Sequence, residues 1–168
     1  MDIYEQLGVR KLINACGPLT RFGGSLMPSE VMDAVAEANR AFVDIEELQR
    51  KAGERIAQLL GVEAALVTAG AAAGLALAAA ACMAGADPFK ARQLPDTTGM
   101  KDEIVILRCH RIHYDQAVRL AGARFVEVGY ADWSTLEDVQ PFVHDQTAAI
   151  LYVAKAETVA GSVPLAEI

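Results

Sequence analysis

The sequence is poor in cysteine and in positive charge, and each shortage argues against a class of protein. Its three cysteines, Cys16, Cys82 and Cys109, are odd in number and lack a CxxC spacing, so a disulfide framework or a zinc site is not expected. We expect reduced, buried thiols in a cytoplasmic protein. The 15 Lys and Arg residues are outnumbered by 22 Asp and Glu residues, and the net charge is −7. Nucleic acids and anionic membrane surfaces require basic patches, so neither is an expected partner.

A secretory signal and a convincing membrane span are also missing from the sequence. The first residues, MDIYEQLGVRK, contain no basic segment followed by an apolar one. Residues 65–86 are long enough to raise the question, because a spanning helix needs about 20 strongly apolar residues. Most of them are alanine, and Gly70 and Gly74 interrupt the run. We therefore predict no membrane span.

The 168 residues suit one ordinary domain with a hydrophobic core, preceded by an arm. A glycine- and proline-rich start predicts an irregular chain, and apolar residues at helical spacing predict a helix from Ser29. A second helix is predicted between Asp44 as its N-cap and Gly61 as its stop. We expect its apolar stripe to face a core. The expected domain boundaries are 1–45 for the arm of loop and helix and 46–168 for the main domain.

Short apolar runs separated by helical patterns or polar loops make up the rest of the chain. They predict strands at residues 64–68, 103–108, 123–129 and 147–154. Residues 87–102 contain two prolines and predict a polar loop. The alternation indicates an α/β fold with a mostly parallel sheet and helices on both faces. The pattern stops within its last helix, so we expect the domain to be incomplete at the C-terminus.

The stretch LVTAGAAAGLA brings a predicted strand directly into an alanine-rich helix. The first turn of a helix has backbone N–H groups without intrahelical partners, and its dipole adds partial positive charge there. Small residues allow an anion to approach this backbone, and Gly70 can adopt unusual dihedral angles. The stretch is neither a Walker loop nor a GxGxxG fingerprint. It therefore indicates a phosphate site, or small residues that only let the helix pack closely on the sheet.

Two histidines follow the predicted strand 103–108. His110 lies just past the strand end, and His113 follows three residues later. Ligands of open parallel sheets bind beyond the carboxyl ends of the strands, so we expect these residues and the start of the alanine-rich helix to share a crevice. An imidazole there can stack on a flat ring or hydrogen-bond a substrate. The alternative is that one or both are capping or surface histidines.

Three stretches together resemble a known enzyme family. They are the TAGAAAG element, the block LPDTTGMKDEIVILRCHRIHYDQAVRLAGARFVEVG and the opening LINACGPLTRFGGSLMPSEV. As a set they resemble the selenocysteine-synthase-like and D-glucosaminate-6-phosphate-ammonia-lyase-like family of pyridoxal-phosphate (PLP) enzymes. The resemblance covers essentially all 168 residues. It implies the aspartate-aminotransferase-like fold, fold type I, of which this chain would be the first part of the large domain.

The resemblance implies pyridoxal phosphate as the cofactor and assigns residues to it. Backbone amides at the start of the alanine-rich helix would bind the phosphate, and a histidine after the next strand would stack on the ring. These residues are Gly70, Ala71, Ala72 and His110, with His113 as the alternative to His110. Arg21 would meet a substrate carboxylate or phosphate, or be a surface arginine. The loop 94–101 would lie near the site or a subunit contact.

Two parts that this family needs are expected beyond residue 168. They are an Asp that pairs with the pyridine nitrogen and a Lys that binds the cofactor covalently. We assign neither Asp115 nor Lys155 to these roles, and we therefore assign no catalytic residue in this sequence. A polypeptide without these two parts is expected to be catalytically incomplete.

The implied function is that of the N-terminal portion of a PLP-dependent lyase. It would act on an amino acid or amino sugar acid by β-elimination, as an ammonia lyase does. Its expected partners are a small-molecule substrate and further copies of itself in a homo-oligomer. The alternatives are a selenium or sulfur transferase of the selenocysteine synthase type, a non-catalytic binding module and a Rossmann-like nucleotide binder.

Overall fold

The computed structural model describes residues 2–154 and 161–168, so Lys155 lies outside the described residues. The chain divides into two compact units, Met1–Ala65 and Leu66–Ile168. The α-helices are α1 (Ile3–Gln6), α2 (Ser29–Ala38), α3 (Ile45–Leu60), α4 (Ala71–Ala84), α5 (Pro88–Gln93), α6 (Gln116–Arg119) and α7 (Leu136–Val139). The strands are β1 (Glu103–Leu107), β2 (Arg124–Val128) and β3 (Thr147–Leu151).

The N-terminal unit carries the predicted helices at the predicted ends. The Asp44 carboxylate accepts hydrogen bonds from the backbone N–H groups of Glu46 and Glu47, at 2.9 and 3.1 Å. Gly61 ends α3 in the left-handed conformation, which glycine adopts without the steric cost of a Cβ. The N-cap and the stop predicted for α3 are therefore confirmed.

The prediction that the apolar stripe of α3 faces a core is wrong within this unit. Ile45 and Leu59 are 70% and 66% exposed, and the buried residues of α3 are Gly53 and Ala57. A Cβ on Gly53 would lie 2.3 Å from the carbonyl oxygen of Ala65, so the helix meets backbone of its own unit there. Helical periodicity identifies the apolar face, but it does not specify which residues cover that face.

The second unit contains a three-stranded parallel sheet with the order β2–β1–β3. β1 pairs with β2 from Glu103 opposite Arg124 to Leu107 opposite Val128. β1 pairs with β3 on its other side, with a register shift after Glu103. The prediction of a parallel sheet is confirmed. Because all three strands run the same way, their carboxyl ends meet at one edge.

Helices cover both faces of this sheet, as predicted. On one face, Ile104 belongs to a buried cluster with Ala79 and Met83 of α4 and Val118 of α6. On the other face, its neighbour Val105 clusters with residues of β1, β2 and α7, namely Leu107, Val128 and Val139. Alternate residues of a strand point to opposite faces, so one apolar strand supplies both clusters.

The predicted strand at 64–68 is not a strand in this structure. These residues are irregular, and Leu66 and Val67 are 60% and 45% exposed. An apolar run indicates burial, whereas a strand also needs a neighbouring strand to pair with. The described sheet consists of β1, β2 and β3. β3, which this sheet leaves at an edge, is half-buried throughout.

The prediction that residues 87–102 form only a polar loop needs correction. They contain α5, whose N-cap Asp87 accepts hydrogen bonds from two backbone N–H groups. Between β1 and β2, the chain forms short 3-10 turns followed by α6. After β2, Thr135 and Asp138 form a capping box at the start of α7.

The length of the alanine-rich helix and the exposure of the cysteines can be compared with the expectations from the sequence. α4 has 14 residues, and no helix in residues 2–154 or 161–168 is long and apolar enough to cross a membrane. Cys16 and Cys82 are exposed and Cys109 is half-buried, so the expected burial of the thiols is wrong. Cys16 lies in the irregular arm, and Cys82 lines an open apolar cavity beside α4.

The loop 94–101 packs at the amino edge of the sheet, opposite to the edge where a ligand site was expected. The carbonyl oxygen of Pro95 approaches Gly122, which lies just before β2. The Thr97 hydroxyl donates a hydrogen bond to Asp102, just before β1, at 2.9 Å. These contacts connect the loop to the starts of two strands and account for its ordered path.

We predict that Gly122→Ala destabilises the protein more than Gly99→Ala does. Both glycines have positive φ, +96° and +78°, but a Cβ on Gly122 would lie 2.2 Å from the Pro95 carbonyl oxygen, whereas Gly99 faces open space. A Cβ in left-handed backbone costs about 1–2 kcal/mol, and Gly122→Ala adds the steric clash. Urea unfolding of both variants measures the difference, and equal midpoints would contradict this packing.

Candidate functional site

The first turn of α4 lies at the carboxyl edge of the sheet. α4 ends at Ala84 and is followed closely by the short helix α5, which leads into the loop 94–101 at the amino edge of the sheet. Met83, near the end of α4, belongs to the buried cluster that contains Ala123, just before β2. The helix therefore runs antiparallel to the strands, and its N-terminus points to the edge where open parallel sheets bind ligands.

This helix N-terminus is open and carries no capping side chain among the described residues. Gly70 is the N-cap residue, with φ 114° and ψ 170°, a conformation that only glycine adopts readily. Its carbonyl oxygen accepts hydrogen bonds from the Gly74 N–H and the Thr68 hydroxyl, both at 3.0 Å. Gly70, Ala71 and Ala72 are exposed. The N–H groups of this turn can therefore donate hydrogen bonds to an anion.

His110 lies at the same edge but is fully buried, with 0% of its surface exposed. Its Nδ1 accepts a hydrogen bond from the Val153 N–H at 3.3 Å, and its Nε2 lies 2.7 Å from the Ser162 hydroxyl. The Tyr152 ring packs edge-on against the imidazole, with 4.4 Å between the ring centres. Burial lowers the pKa of His110 below its ordinary value. The expected stacking of His110 on a cofactor ring is not available in this structure, because no face of the imidazole reaches the surface.

His113 is the histidine that this edge leaves exposed. It begins a 3-10 turn, His113–Asp115, and Tyr114 beside it is 74% exposed. Asp115 stabilises the turn from its buried side: it is only 2% exposed and accepts a hydrogen bond from the Ile112 N–H at 3.3 Å. The two exposed rings are thus carried on a turn that a buried carboxylate holds by hydrogen bonding.

Arg111 stabilises the same turn through its charge. Its guanidinium donates to the Asp115 carboxylate at 2.5 Å and forms an ion pair with Glu127 of β2. It also lies over the ring of Phe125, 5.2 Å from the ring centre. The hydrogen bond to Asp115 raises the pKa of Arg111 above its ordinary value. The carboxylate of Asp115 is therefore committed to holding the turn.

Arg21 lies in the N-terminal unit, at the tip of a tight turn. The turn Thr20–Phe22 lies between Leu19 and Gly24, which form an isolated antiparallel bridge. Arg21 is exposed. Its assignment to a substrate carboxylate or phosphate stays a prediction.

Ser162 and Tyr152 are site residues that sequence reasoning missed. The Ser162 hydroxyl contacts a histidine 52 positions earlier in the chain, and the Tyr152 hydroxyl donates to the Val163 carbonyl at 3.1 Å. No local motif joins such distant positions. The available signal was the position of Tyr152 near the carboxyl end of the predicted strand 147–154, since ligands of open parallel sheets bind beyond the carboxyl ends of the strands.

No protein-family model matches the chain, but individual proteins are similar to it in sequence. The chain is 42% identical over 156 residues to the D-glucosaminate-6-phosphate ammonia lyase of Salmonella typhimurium (strain 14028s / SGSC 2262), a match covering 90% of this chain and 42% of that protein. It is 38% identical over 155 residues to the 5'-C-glycyluridine monooxygenase-decarboxylase of a Streptomyces species, covering 89% of this chain and 39% of that protein.

A solved structure of D-glucosaminate-6-phosphate ammonia-lyase is similar in fold as well. It matches this chain with a TM-score of 0.94 and 39% sequence identity, over 99% of this chain and 47% of that chain. The chain thus spans less than half the length of the relatives it matches. Over nearly all of its own length, it is similar in sequence and structure to an ammonia lyase of an amino sugar acid.

Proposed function

We propose that this chain forms the phosphate-binding edge of a PLP-dependent ammonia lyase that acts on a phosphorylated amino sugar acid. The observation that carries the proposal is the exposed, uncapped first turn of α4 at the carboxyl edge of the sheet. The similarity to D-glucosaminate-6-phosphate ammonia lyase supports the reaction class. Because the chain spans less than half of that relative, the activity proposed is that of the whole protein.

The residues at this turn fit the phosphate of the cofactor. Gly70 has no atom within 4 Å of the position that a Cβ would take, and Ala71 and Ala72 carry no side chain beyond Cβ. Space for an anion is therefore combined with free N–H groups and the positive end of the helix dipole. When bound, pyridoxal phosphate supplies an electron sink for the carbanion that forms at the substrate carbon bearing the amino group.

We assign the ring-facing position to His113. The imidazole is exposed at the same edge and is held by the turn that Arg111 and Asp115 fix. Aromatic rings stack favourably on flat ligands, with a gain of about 0.5–1.5 kcal/mol beyond the buried area. His113 would orient the cofactor ring and exclude water from one of its faces.

Substrate binding and assembly complete the proposal. Arg21 would bind a carboxylate or phosphate of the substrate, since an arginine fork pairs with such groups through two hydrogen bonds. The protein would form a homo-oligomer, supported by exposed apolar side chains of the N-terminal unit such as Ile13 and Leu26, at 100% and 99%. We also propose that residues 1–45 act as an arm and that residues 46–168 form the first part of the cofactor-binding domain.

A second candidate function is decarboxylation of a substrate with a glycyl substituent, and the similarity to 5'-C-glycyluridine monooxygenase-decarboxylase favours it. Its name describes loss of a carboxyl group from a glycyl substituent. The two relatives therefore differ in which substrate bond is broken, while both names describe substrates with an amino acid group. The bond that breaks depends on groups around the substrate, and this chain supplies only part of the length of either relative.

We predict that Ala71→Asp weakens binding of pyridoxal phosphate at least tenfold, whereas Ala71→Asn changes it little. Two like charges 4 Å apart repel by about 4 kcal/mol at an effective dielectric constant of 20. An acidic residue in the first turn stabilises a helix, so lost binding would not report unfolding. Absorbance titration of the full-length protein with pyridoxal phosphate measures this. Equal weakening of pyridoxal, which lacks the phosphate, would contradict the assignment.

His113→Ala is predicted to weaken pyridoxal phosphate binding up to about tenfold, because the stacking contribution is lost. His113→Phe keeps a flat ring and should lose less than about threefold. The same titration applies to both variants, with His144→Ala as the control for loss of a surface histidine. If His113→Ala binds the cofactor as tightly as the unmodified protein, His113 does not face the ring.

The lyase proposal predicts that the full-length protein releases ammonia from D-glucosaminate 6-phosphate. The release should disappear when pyridoxal phosphate is removed and return when it is added. Ammonia is measured with a coupled glutamate dehydrogenase assay, and carbon dioxide release from 5'-C-glycyluridine is measured in parallel. Carbon dioxide release without ammonia release would support the second candidate function and contradict the first.

A further inference from the structure

His110 connects the carboxyl ends of two strands with a third segment of the chain. It lies three residues after β1, and its Nδ1 accepts from the backbone of Val153, two residues after β3. Its Nε2 contacts Ser162, in the segment 161–163. One imidazole therefore binds the chain on both sides of residues 155–160, which lie outside the described residues.

The segment 161–163 is also held by the loop that follows β2. The Gly161 carbonyl accepts a hydrogen bond from the Ser134 N–H at 2.7 Å. A Cβ on Gly161 would lie 2.3 Å from the carbonyl oxygen of Asp132, so only glycine fits this close approach. Val163 is 3% exposed, and its carbonyl accepts from the Tyr152 hydroxyl. The ends of all three strands are thus joined through these three residues.

The hydrogen bonds of His110 determine which ring nitrogen carries the proton. Nδ1 accepts from a backbone N–H, which can only donate, so in the neutral ring the proton is on Nε2. Nε2–H then donates to the Ser162 hydroxyl oxygen, and that hydroxyl donates to the Val163 carbonyl at 3.2 Å. Every polar atom of this network has a partner.

This tautomer excludes a catalytic serine–histidine pair, which the distance of 2.7 Å alone would suggest. A general base must offer the lone pair of Nε2 to the serine proton, with the proton of the ring on Nδ1. Here Nδ1 already accepts, and Nε2 already donates. Ser162 therefore cannot be activated as a nucleophile by His110.

We propose that His110 is a positioning residue, which in its neutral Nε2–H form fixes Val153 and Ser162 at the edge where the cofactor binds. This inference rests on the proposed function only in assuming that a cofactor binds at this edge. The hydrogen bonds of His110, and the tautomer that they require, do not depend on the proposed function. His110 does not touch the ligand. It sets the position of backbone that borders the site, in the way that buried networks hold the groups around binding pockets.

The network also makes this edge sensitive to acid. The rings and hydroxyls against His110 belong to Tyr152 and Ser162, which are uncharged at neutral pH, while Arg111 and Asp115 on its own turn pair with each other. Burial keeps the pKa of His110 below its ordinary value of 6.5. The unfolded chain therefore binds a proton first as pH falls below about 6.5. Stability contributed by neutral His110 is present above that pH and is lost on acidification.

The direct test is long-range ¹H–¹⁵N NMR of the full-length protein labelled in histidine. His110 should show the neutral Nε2–H pattern at pH 7.5 and stay neutral to a lower pH than a histidine of the unfolded chain. The signal that disappears in the His110→Phe variant identifies the signal of His110. Observation of the Nδ1–H form, or of protonation with a midpoint near that of an exposed histidine, would overturn the proposal.

Three variants test the positioning role through pyridoxal phosphate affinity. His110→Phe keeps a buried ring but loses both hydrogen bonds, and we expect about tenfold weaker binding. His110→Gln can still reach Ser162 and should recover part of this loss, while Ser162→Ala should weaken binding about threefold. If the His110→Phe variant binds the cofactor as tightly as the unmodified protein, the positioning role is overturned. If the unmodified protein does not bind pyridoxal phosphate, the proposed function fails, and the NMR result still decides the state of His110.

The pH dependence of unfolding provides the remaining control. Between pH 7.5 and 5.5, the urea midpoint of the unmodified protein should fall more than that of His110→Gln, which has no group to protonate at this position. Parallel midpoints for the unmodified protein and His110→Gln would overturn the inference.

Discussion

The pairing of β1 with strands on both of its sides is the constraint on which the rest of this unit depends. Val105 and Ile106 are fully buried, and the parallel register brings the ends of three strands to one edge. Every group assigned to ligand binding or positioning in this unit follows a strand end or begins a helix there. Chemistry is concentrated at this edge because parallel strands direct their following loops to the same side.

The proposed site could bind an anionic ligand even though the protein as a whole is acidic. The net charge is −7, so long-range attraction does not favour phosphate. The first turn of α4 provides N–H groups and a dipole at short range, and its residues are too small to block access. Arg111, which follows β1, pairs with Asp115 and Glu127 rather than facing a ligand. The proposed phosphate site therefore relies on the backbone of the turn, which acts at short range.

The sequence predicted the parts of the structure that depend on local pattern. The parallel sheet, the caps of α3 and the open glycine–alanine turn all follow from short-range periodicity and capping chemistry. The environment of the two histidines could not be predicted from local pattern, because burial of His110 depends on Ser162, 52 positions away. The same limit applies to residues 64–68 and to the apolar stripe of α3. Their sequences indicate burial, but the surfaces that would cover them are not encoded in the segments themselves.

The central claim is that backbone at the start of α4 binds a phosphate group at the carboxyl edge of the sheet. Backbone ¹H–¹⁵N chemical shifts of the full-length protein, recorded during titration with pyridoxal phosphate, test this claim directly. We expect saturable shifts that are largest for the amides of Gly70, Ala71 and Ala72, with smaller changes at His113 and none at the opposite edge around Pro95. Saturation with the largest shifts elsewhere, or no shift at these three amides, would contradict the account.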